Sequence, residues 1–194
     1  LRLLLAACLA LCLLAPVVQA ETLRGAPLMR RFQPEDYNAT PQHLALATDA
    51  AGRLYVGNVE GVLRYDGEAW DLLVLPGKAI GRDLATGKDG QIYVASYDTF
   101  GWLIAGEDGQ VRYEELMTAA GLKGRARAVG MVWQVYATGQ GVYFRAENAL
   151  HFLSYDRRRI EHWPLQDNVR SFNVDGDTLY ARVDGVGFCR FVMG

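Results

Sequence analysis

The feature that most constrains this chain is a tyrosine-centred unit that occurs four times. Tyr55, Tyr93, Tyr143 and Tyr180 each lie in a short apolar segment that follows a turn rich in Gly and Asp. The intervals between these tyrosines are 38, 50 and 37 residues. Repetition at a period of about 40 residues is typical of arrays in which each unit buries its apolar faces only against its neighbours. The sequence therefore predicts a repeat architecture.

One unit has the content of a four-stranded antiparallel sheet. In the first unit, strand-like segments are separated by turns such as Asp66-Gly67. These segments are residues 44–48, 54–58, 62–65 and 69–75, and the later units repeat them at residues 92–95, 102–105, 111–116, 142–145, 149–155, 160–165 and 179–182. Four short strands per unit predict an all-β fold, a β-propeller of about four four-stranded blades. Because about seven blades usually close such a ring, we expect residues 42–194 to be the N-terminal blades of an incomplete ring, truncated at the C-terminus.

The longer interval between Tyr93 and Tyr143 indicates an insertion after the second unit. Residues 113–120 include Leu116 and Met117 and are followed by Gly121, a pattern that predicts a short helix. We expect little other helix outside the N-terminal segment.

A sequence motif in the first unit carries a family resemblance. Residues 57–67 read G-N-V-E-G-V-L-R-Y-D-G, with Trp70 three residues later. This segment resembles the two-component regulator propeller repeat, whose blades carry [WY]-[VI]-G-x-x-x-G-[LV]-x-x-[FY]-D-G. Residues 92–103 are similar to the following blade in a subset of that family. The resemblance covers residues 40–194 and departs in the third unit, where Arg145 replaces a small residue after the second strand.

The resemblance implies a function. Propellers of that family are the extracytoplasmic sensor halves of signalling proteins, usually followed by a triple-tyrosine Ig-like domain, a membrane helix and an output module. It therefore implies a periplasmic part of a dimeric inner-membrane protein that senses an unknown ligand or protein and has a histidine kinase or diguanylate cyclase output. The alternative is a secreted propeller enzyme, of lyase or quinone-dependent dehydrogenase type, with its catalytic residues elsewhere in the protein.

The first 20 residues predict export. Arg2 precedes an apolar run, residues 3–15, that is short for a membrane span, and residues 18–20 (V-Q-A) fit the rule for signal-peptide cleavage before Glu21. Residues 5–8 (L-A-A-C) also match a lipoprotein cleavage box, which would leave Cys8 lipidated. Residues 21–41 lack alternation and form a predicted lead-in to the first strand.

Composition and residue spacing argue against several classes of chemistry. The net charge is -2, which provides no electrostatic attraction for nucleic acid. The Asp-Gly turns lack the dense run of oxygen ligands of a calcium loop, and we interpret His43, His151 and His162 as scattered packing residues. We therefore expect no metal, no cofactor and no catalytic residue within this chain. We also expect the tryptophans to fill the space between sheets rather than to bind carbohydrate, namely Trp70, Trp102, Trp133 and Trp163.

Candidate ligand-binding residues lie in the loops between the second and third strands of each unit. These loops are residues 58–60, 96–100, 145–148 and 182–184, and they differ while the flanking strands repeat. A fixed scaffold with a variable rim is typical of a specialised binding face. The weak candidates at this rim are Asn58, Tyr97, Arg145 and Arg182.

Two of these candidates share one repeat position. Arg145 and Arg182 are equivalent in the third and fourth units. They either recognise an anionic ligand or pair with Glu147 and Asp184, and we favour the pairing.

Overall fold

The computed structural model describes residues 29–106, 109–166 and 169–191. The chain divides into two compact units, residues 1–31 and 32–194, and the second is described below. The predicted signal peptide and the first part of the lead-in lie outside the described residues. Within those residues, no helix combines the length and the apolar character that crossing a bilayer requires.

The fold is all-β, as predicted. Four antiparallel sheets, here called blades 1 to 4, follow one another along the chain, and the strands of each blade are paired in chain order. Their strands are β1 (His43–Thr48), β2 (Leu54–Asn58), β3 (Gly61–Tyr65) and β4 (Trp70–Leu73) in blade 1; β5 (Asp83–Thr86), β6 (Ile92–Ala95), β7 (Phe100–Ala105) and β8 (Val111–Glu115) in blade 2; β9 (Gln134–Ala137), β10 (Gly141–Arg145), β11 (Ala149–Ser154) and β12 (Ile160–Pro164) in blade 3; and β13 (Val169–Asp175), β14 (Thr178–Val183) and β15 (Gly187–Arg190) in blade 4.

The first strands of consecutive blades lie side by side. Strand β1 contacts β5, and β5 contacts β9. At one end of β1 and β5, the Thr86 hydroxyl donates to the Thr48 carbonyl (2.7 Å). At the other end, the Gly81 amide, just before β5, donates to the carbonyl of Asn58 (2.9 Å), the β2 residue that pairs with His43 of β1. The first strands therefore run in the same direction around a common axis, which is the arrangement of a propeller.

Three of the four repeated tyrosines are buried at interfaces between blades. Tyr55 packs between blades 1 and 2, Tyr93 between blades 2 and 3, and Tyr143 between blades 3 and 4. In the first two cases the hydroxyl also donates to a turn aspartate of its own blade, with Oη–Oδ2 distances of 3.2 Å to Asp49 and 2.7 Å to Asp89. One residue type thus joins a hairpin turn to the neighbouring blade, which explains the period of the sequence.

The lead-in covers the face of blade 1 that lies opposite blade 2. A short helix, α1 (Pro34–Tyr37), precedes β1. Phe32 and Tyr37 pack edge-on against Trp70, with centroid distances of 5.2 and 5.7 Å. This aromatic cluster also covers Val56 and Leu63, which are buried beneath it.

Two details of the sequence prediction are corrected. The predicted helix at residues 113–120 is wrong, because β8 continues to Glu115 and residues 117–121 form a turn. The partly buried side chain of Tyr113 packs against the core between blades 1 and 2 and holds this segment in the sheet. The predicted insertion is present, since the linker from β8 to β9, residues 116–133, is twice as long as residues 74–82 between blades 1 and 2.

Candidate ligand-recognition face

The loops between the second and third strands of each blade lie at the same end as the starts of the first strands. This follows from the strand registers, in which the first strand begins opposite the end of the second: His43 with Asn58, Asp83 with Ala95, Gln134 with Arg145, and Val169 with Val183. We call this end the loop face; its loops are residues 59–60, 96–99, 146–148 and 184–186. The opposite end, the hairpin face, has residues 49–53, 87–91, 138–140 and 176–177. All four predicted site residues lie at the loop face.

Asn58 holds the first loop in place. Its side chain is fully buried, and Nδ2 donates to the Thr40 carbonyl (2.8 Å) and lies 3.2 Å from His43 Nδ1. Its Oδ1 accepts from the Glu60 amide (2.9 Å) and from the Thr40 hydroxyl (3.3 Å). An amide with these partners has little remaining capacity for a ligand. Asn58 therefore holds the first loop of the loop face in its conformation.

Ser96 occupies the same position in blade 2, and the sequence analysis did not single it out. It is fully buried, and Oγ donates to the Ile80 carbonyl (2.6 Å). Its own carbonyl accepts from the Val132 amide (2.9 Å), in the linker that enters blade 3. The repeat alignment of Ser96 with Asn58 was the signal available in the sequence.

Tyr97 projects from a loop that is fixed at its base. The Tyr97 side chain is 56% exposed, and its backbone forms a bridge with Met131. The Asp98 amide donates to the Gly130 carbonyl (2.8 Å), and the Gly130 amide donates to Asp98 Oδ1 (2.8 Å). A large aromatic ring is therefore presented to solvent from a rigid support, as in a contact residue of a binding site.

A cleft of about 410 Å³ adjoins Tyr97. Its charged wall is the ion pair between Arg127 and Glu115. Burial raises the pKa of Glu115, but hydrogen bonds from Arg127 and Thr118 outweigh it, so the net shift is downward and the carboxylate is ionised at neutral pH. The cleft combines apolar walls, an exposed ring and a fixed charge pair, which suits recognition of a small amphipathic group. Its lining residues are Pro76, Gly77, Ala79, Tyr97, Asp98, Thr99, Glu115 and Arg127.

The two predicted arginines do not form the ion pairs that we favoured. Asp184 pairs with Arg170 (2.5 Å), and the Glu147 carboxylate lies against Gly130. Among the described residues, neither Arg145 nor Arg182 takes part in an ion pair.

The two arginines also differ in their surroundings. Arg145 is half-buried, and its buried Nε has no hydrogen-bond partner. Arg182 is exposed beside Phe188, on the side of blade 4 that faces away from blade 3. The structure places them at equivalent positions and, within the residues it describes, shows no carboxylate paired with either guanidinium group.

Two further loop-face groups join blades 2 and 3. Asp83 Oδ2 accepts from the Val135 amide (2.9 Å); burial raises the pKa of Asp83, although hydrogen bonds from backbone amides oppose this shift. Arg82 lies over the ring of Trp133, 5.3 Å from its centroid. The prediction that Trp133 lies in a strand between sheets is wrong, because it precedes β9 and is 39% exposed.

Two of the histidines are in contact, which the sequence analysis missed. His151 on β11 and His162 on β12 are paired across the strands, and their Nδ1 atoms are 2.8 Å apart. Only the strand register reveals this contact, because the residues are 11 positions apart in the sequence. Within the described parts of the chain, no group of three or more His, Cys, Asp or Glu side chains is placed to hold a metal ion.

Comparison with known proteins finds similar folds among solved structures. No family model and no curated protein sequence matches this chain. Two solved structures of the extracellular domain of BT4673 of B. thetaiotaomicron do match. The first describes BT4673 as a one-component system, and the second describes it as a hybrid two-component system. They give TM-scores of 0.60 and 0.58 at 12% and 19% identity, over 82% and 78% of this chain and 23% and 21% of theirs.

A third match is the extracellular domain of the hybrid two-component system BT3049 of the same organism. Its TM-score is 0.56 at 14% identity, over 82% of this chain and 22% of that one. The chain thus spans less than a quarter of the length of these solved chains. The similarity confirms the fold that the resemblance implied.

Proposed function

We propose that this chain is the extracytoplasmic sensing region of a bacterial signal-transduction protein and that it recognises its cue at the loop face. The observation that carries the proposal is the similarity of its fold to the extracellular domains of regulatory systems. The structure of the loop face supports it, because loops of differing sequence are held on a repeated scaffold.

The recognition residues follow from exposure and hydrogen bonding. Tyr97 lines the cleft and is exposed, and Arg145 and Arg182 have cationic groups without a carboxylate partner in the described chain. We propose that these three residues contact the cue, a small molecule or a partner protein. Asn58, whose polar atoms are already paired, keeps the neighbouring loop in shape.

The proposal extends to the whole protein by resemblance. An exported propeller has no access to cytoplasmic nucleotides, so the output module has to lie beyond a membrane helix. We propose a membrane-anchored, dimeric protein with a histidine kinase or diguanylate cyclase output. The apolar residues 3–15, read as part of a signal peptide, support export.

The complete gene tests this proposal against the secreted-enzyme alternative. We expect the reading frame that contains these residues to encode further blades, an Ig-like domain, a membrane helix and a cytoplasmic output domain. A complete frame with further blades, clustered catalytic residues and no membrane helix would support the enzyme instead. Sequencing the locus is sufficient to decide, since only a sensor requires a membrane helix and an output domain.

A further inference from the structure

The contact between His151 and His162 belongs to a longer hydrogen-bond chain. His162 Nε2 lies 2.9 Å from the carbonyl oxygen of Ala120, in the linker between blades 2 and 3. His151 is 3% exposed, and its Nε2 has no hydrogen-bond partner. This series of hydrogen bonds therefore runs from the interior of blade 3 through two imidazole rings to the backbone of the linker.

The geometry defines the protonation state of both rings. A carbonyl only accepts, so His162 carries its proton on Nε2 and donates it to Ala120; its Nδ1 then accepts from His151 Nδ1–H. In this assignment each neutral ring has one N–H group, and both N–H groups donate a hydrogen bond. A third proton leaves either two N–H groups facing each other at Nδ1 or an N–H at His151 Nε2 without an acceptor. At His151, which is buried, an N–H without a partner costs about 1–3 kcal/mol and a charge costs more; the His162 ring is exposed, so a charge on it costs less.

Among the residues that the structure describes, no charged group near His151 offsets this cost. The rings of Phe100 on β7 and Phe144 on β10 lie on the side of blade 2, with Phe100 stacked against Phe144 and 5.5 Å from the His151 ring. On β12, Glu161 pairs with Arg159. Lys123 and Arg125 of the linker are exposed. Burial and the neighbouring His162 lower the pKa of His151 to about 4.

The linker that the pair holds also supports the candidate recognition site. It buries Leu116, Met117 and Ala120 between blades 2 and 3, carries Arg127 into the cleft wall, and pairs with the loop of Tyr97 through Gly130 and Met131. We propose that the His151–His162 pair is an acid-sensitive latch that releases the linker, residues 116–133, when the rings are protonated. This regulation goes beyond the proposed function. Its test measures hydrogen exchange of the linker amides and not the signalling output.

Hydrogen exchange of the full chain at pH 7.5 and pH 5, corrected for the intrinsic pH dependence of exchange, tests the latch. An open linker that exposes His151 to solvent returns its pKa to the ordinary value of 6.5, whereas burial in the closed state lowers it to about 4. Opening at pH 5 is then favoured about thirtyfold over opening at pH 7.5. We expect amides of residues 116–132 to lose protection by about this factor, while those of β1 and β2 do not.

Two variants complete the test. His151→Phe removes the group that takes the proton and keeps an aromatic ring in the core, so protection of the linker becomes independent of pH. His43→Gln changes the histidine of blade 1 and keeps the wild-type pH response. The latch is excluded if the wild-type linker is equally protected at both pH values or if His151→Phe responds like the wild type. Should His151→Phe not fold, an NMR titration of wild-type His151 with a midpoint near 6.5 excludes it as well.

Discussion

At the scale of single residues, the loop face separates side chains that hold loops from side chains that are free to bind. Asn58 is the last residue of the second strand of blade 1, and Ser96 directly follows that of blade 2; both are fully buried with their polar atoms hydrogen-bonded. Tyr97, one position after Ser96, is exposed. Burial, and not residue type alone, therefore indicates whether a loop-face residue near the end of the second strand holds a loop or is available for binding.

Replacing Asn58 by Ala tests this distinction. The variant leaves the Thr40 carbonyl and the Glu60 amide without their side-chain partner, so the free energy of unfolding should fall by about 2 kcal/mol. The matched control is Asn148→Ala in the exposed third loop, which keeps the backbone bond from the Leu165 amide and should change stability by less than about 0.5 kcal/mol. Urea unfolding of both variants measures the difference. Equal stabilities would contradict the structural role of Asn58.

The sequence predicted the positions of the candidate residues better than their contacts. The repeat alignment correctly placed Asn58, Tyr97, Arg145 and Arg182 at one end of the sheets, because strand direction follows from the order of turns. It did not predict that Asp184 pairs with Arg170, since that contact depends on where β13 lies beside β14. The histidine contact was missed for the same reason.

At the scale of elements, the blades meet through backbone as well as side chains. Gly81, in the linker between blades 1 and 2, lies so close to the Gly61 carbonyl that an added Cβ would overlap it. Gly57 has a similar contact with the Gly81 carbonyl, where a Cβ would be 2.5 Å away. Small residues are thus required at this junction, and larger ones would separate the two blades.

We expect Gly81→Ala to lower stability by about 1–3 kcal/mol, because a backbone carbonyl cannot move aside without shifting a strand. Gly139→Ala is the matched control: its new Cβ would meet the carboxylate of Asp177, a flexible side chain that can rotate away at the cost of one exposed hydrogen bond from the Gly139 amide. Thermal unfolding of both variants compares them. A control that loses as much stability as Gly81→Ala would refute the proposed packing of blades 1 and 2.

Turn chemistry and apolar runs identified the middle strands of each blade, whereas the first strands β5, β9 and β13 were not predicted. Strands β5 and β9 have only four residues each and begin with the polar residues Asp83 and Gln134, so they lack a clear alternating pattern. They are held in place by the adjacent first strands and by side-chain contacts such as that from Asp83 to the Val135 amide. Such tertiary constraints are not visible in a local window of sequence.

At the scale of the whole molecule, the described blades form a rigid scaffold with two different ends. The hairpin face is tied together between blades, for example by Tyr155, which accepts from the Lys88 amide (3.0 Å) and donates to the Thr138 carbonyl (2.6 Å). Within the described residues, the loop face has the cleft beside Tyr97, two arginines without carboxylate partners, and loops whose sequences differ between blades. These features lead us to propose recognition at the loop face.

The most direct measurement is the output of the full-length protein in its native cell, under growth conditions that activate it. We compare Tyr97→Ala and the double variant Arg145→Ala/Arg182→Ala with a control double variant, Arg112→Ala/Arg158→Ala, which removes two exposed arginines away from the loop face. Immunoblots and thermal unfolding confirm equal amounts and intact folding. The account predicts that both loop-face variants respond to the cue less than the wild type, while the control responds normally. Wild-type responses from both loop-face variants would contradict recognition at this face.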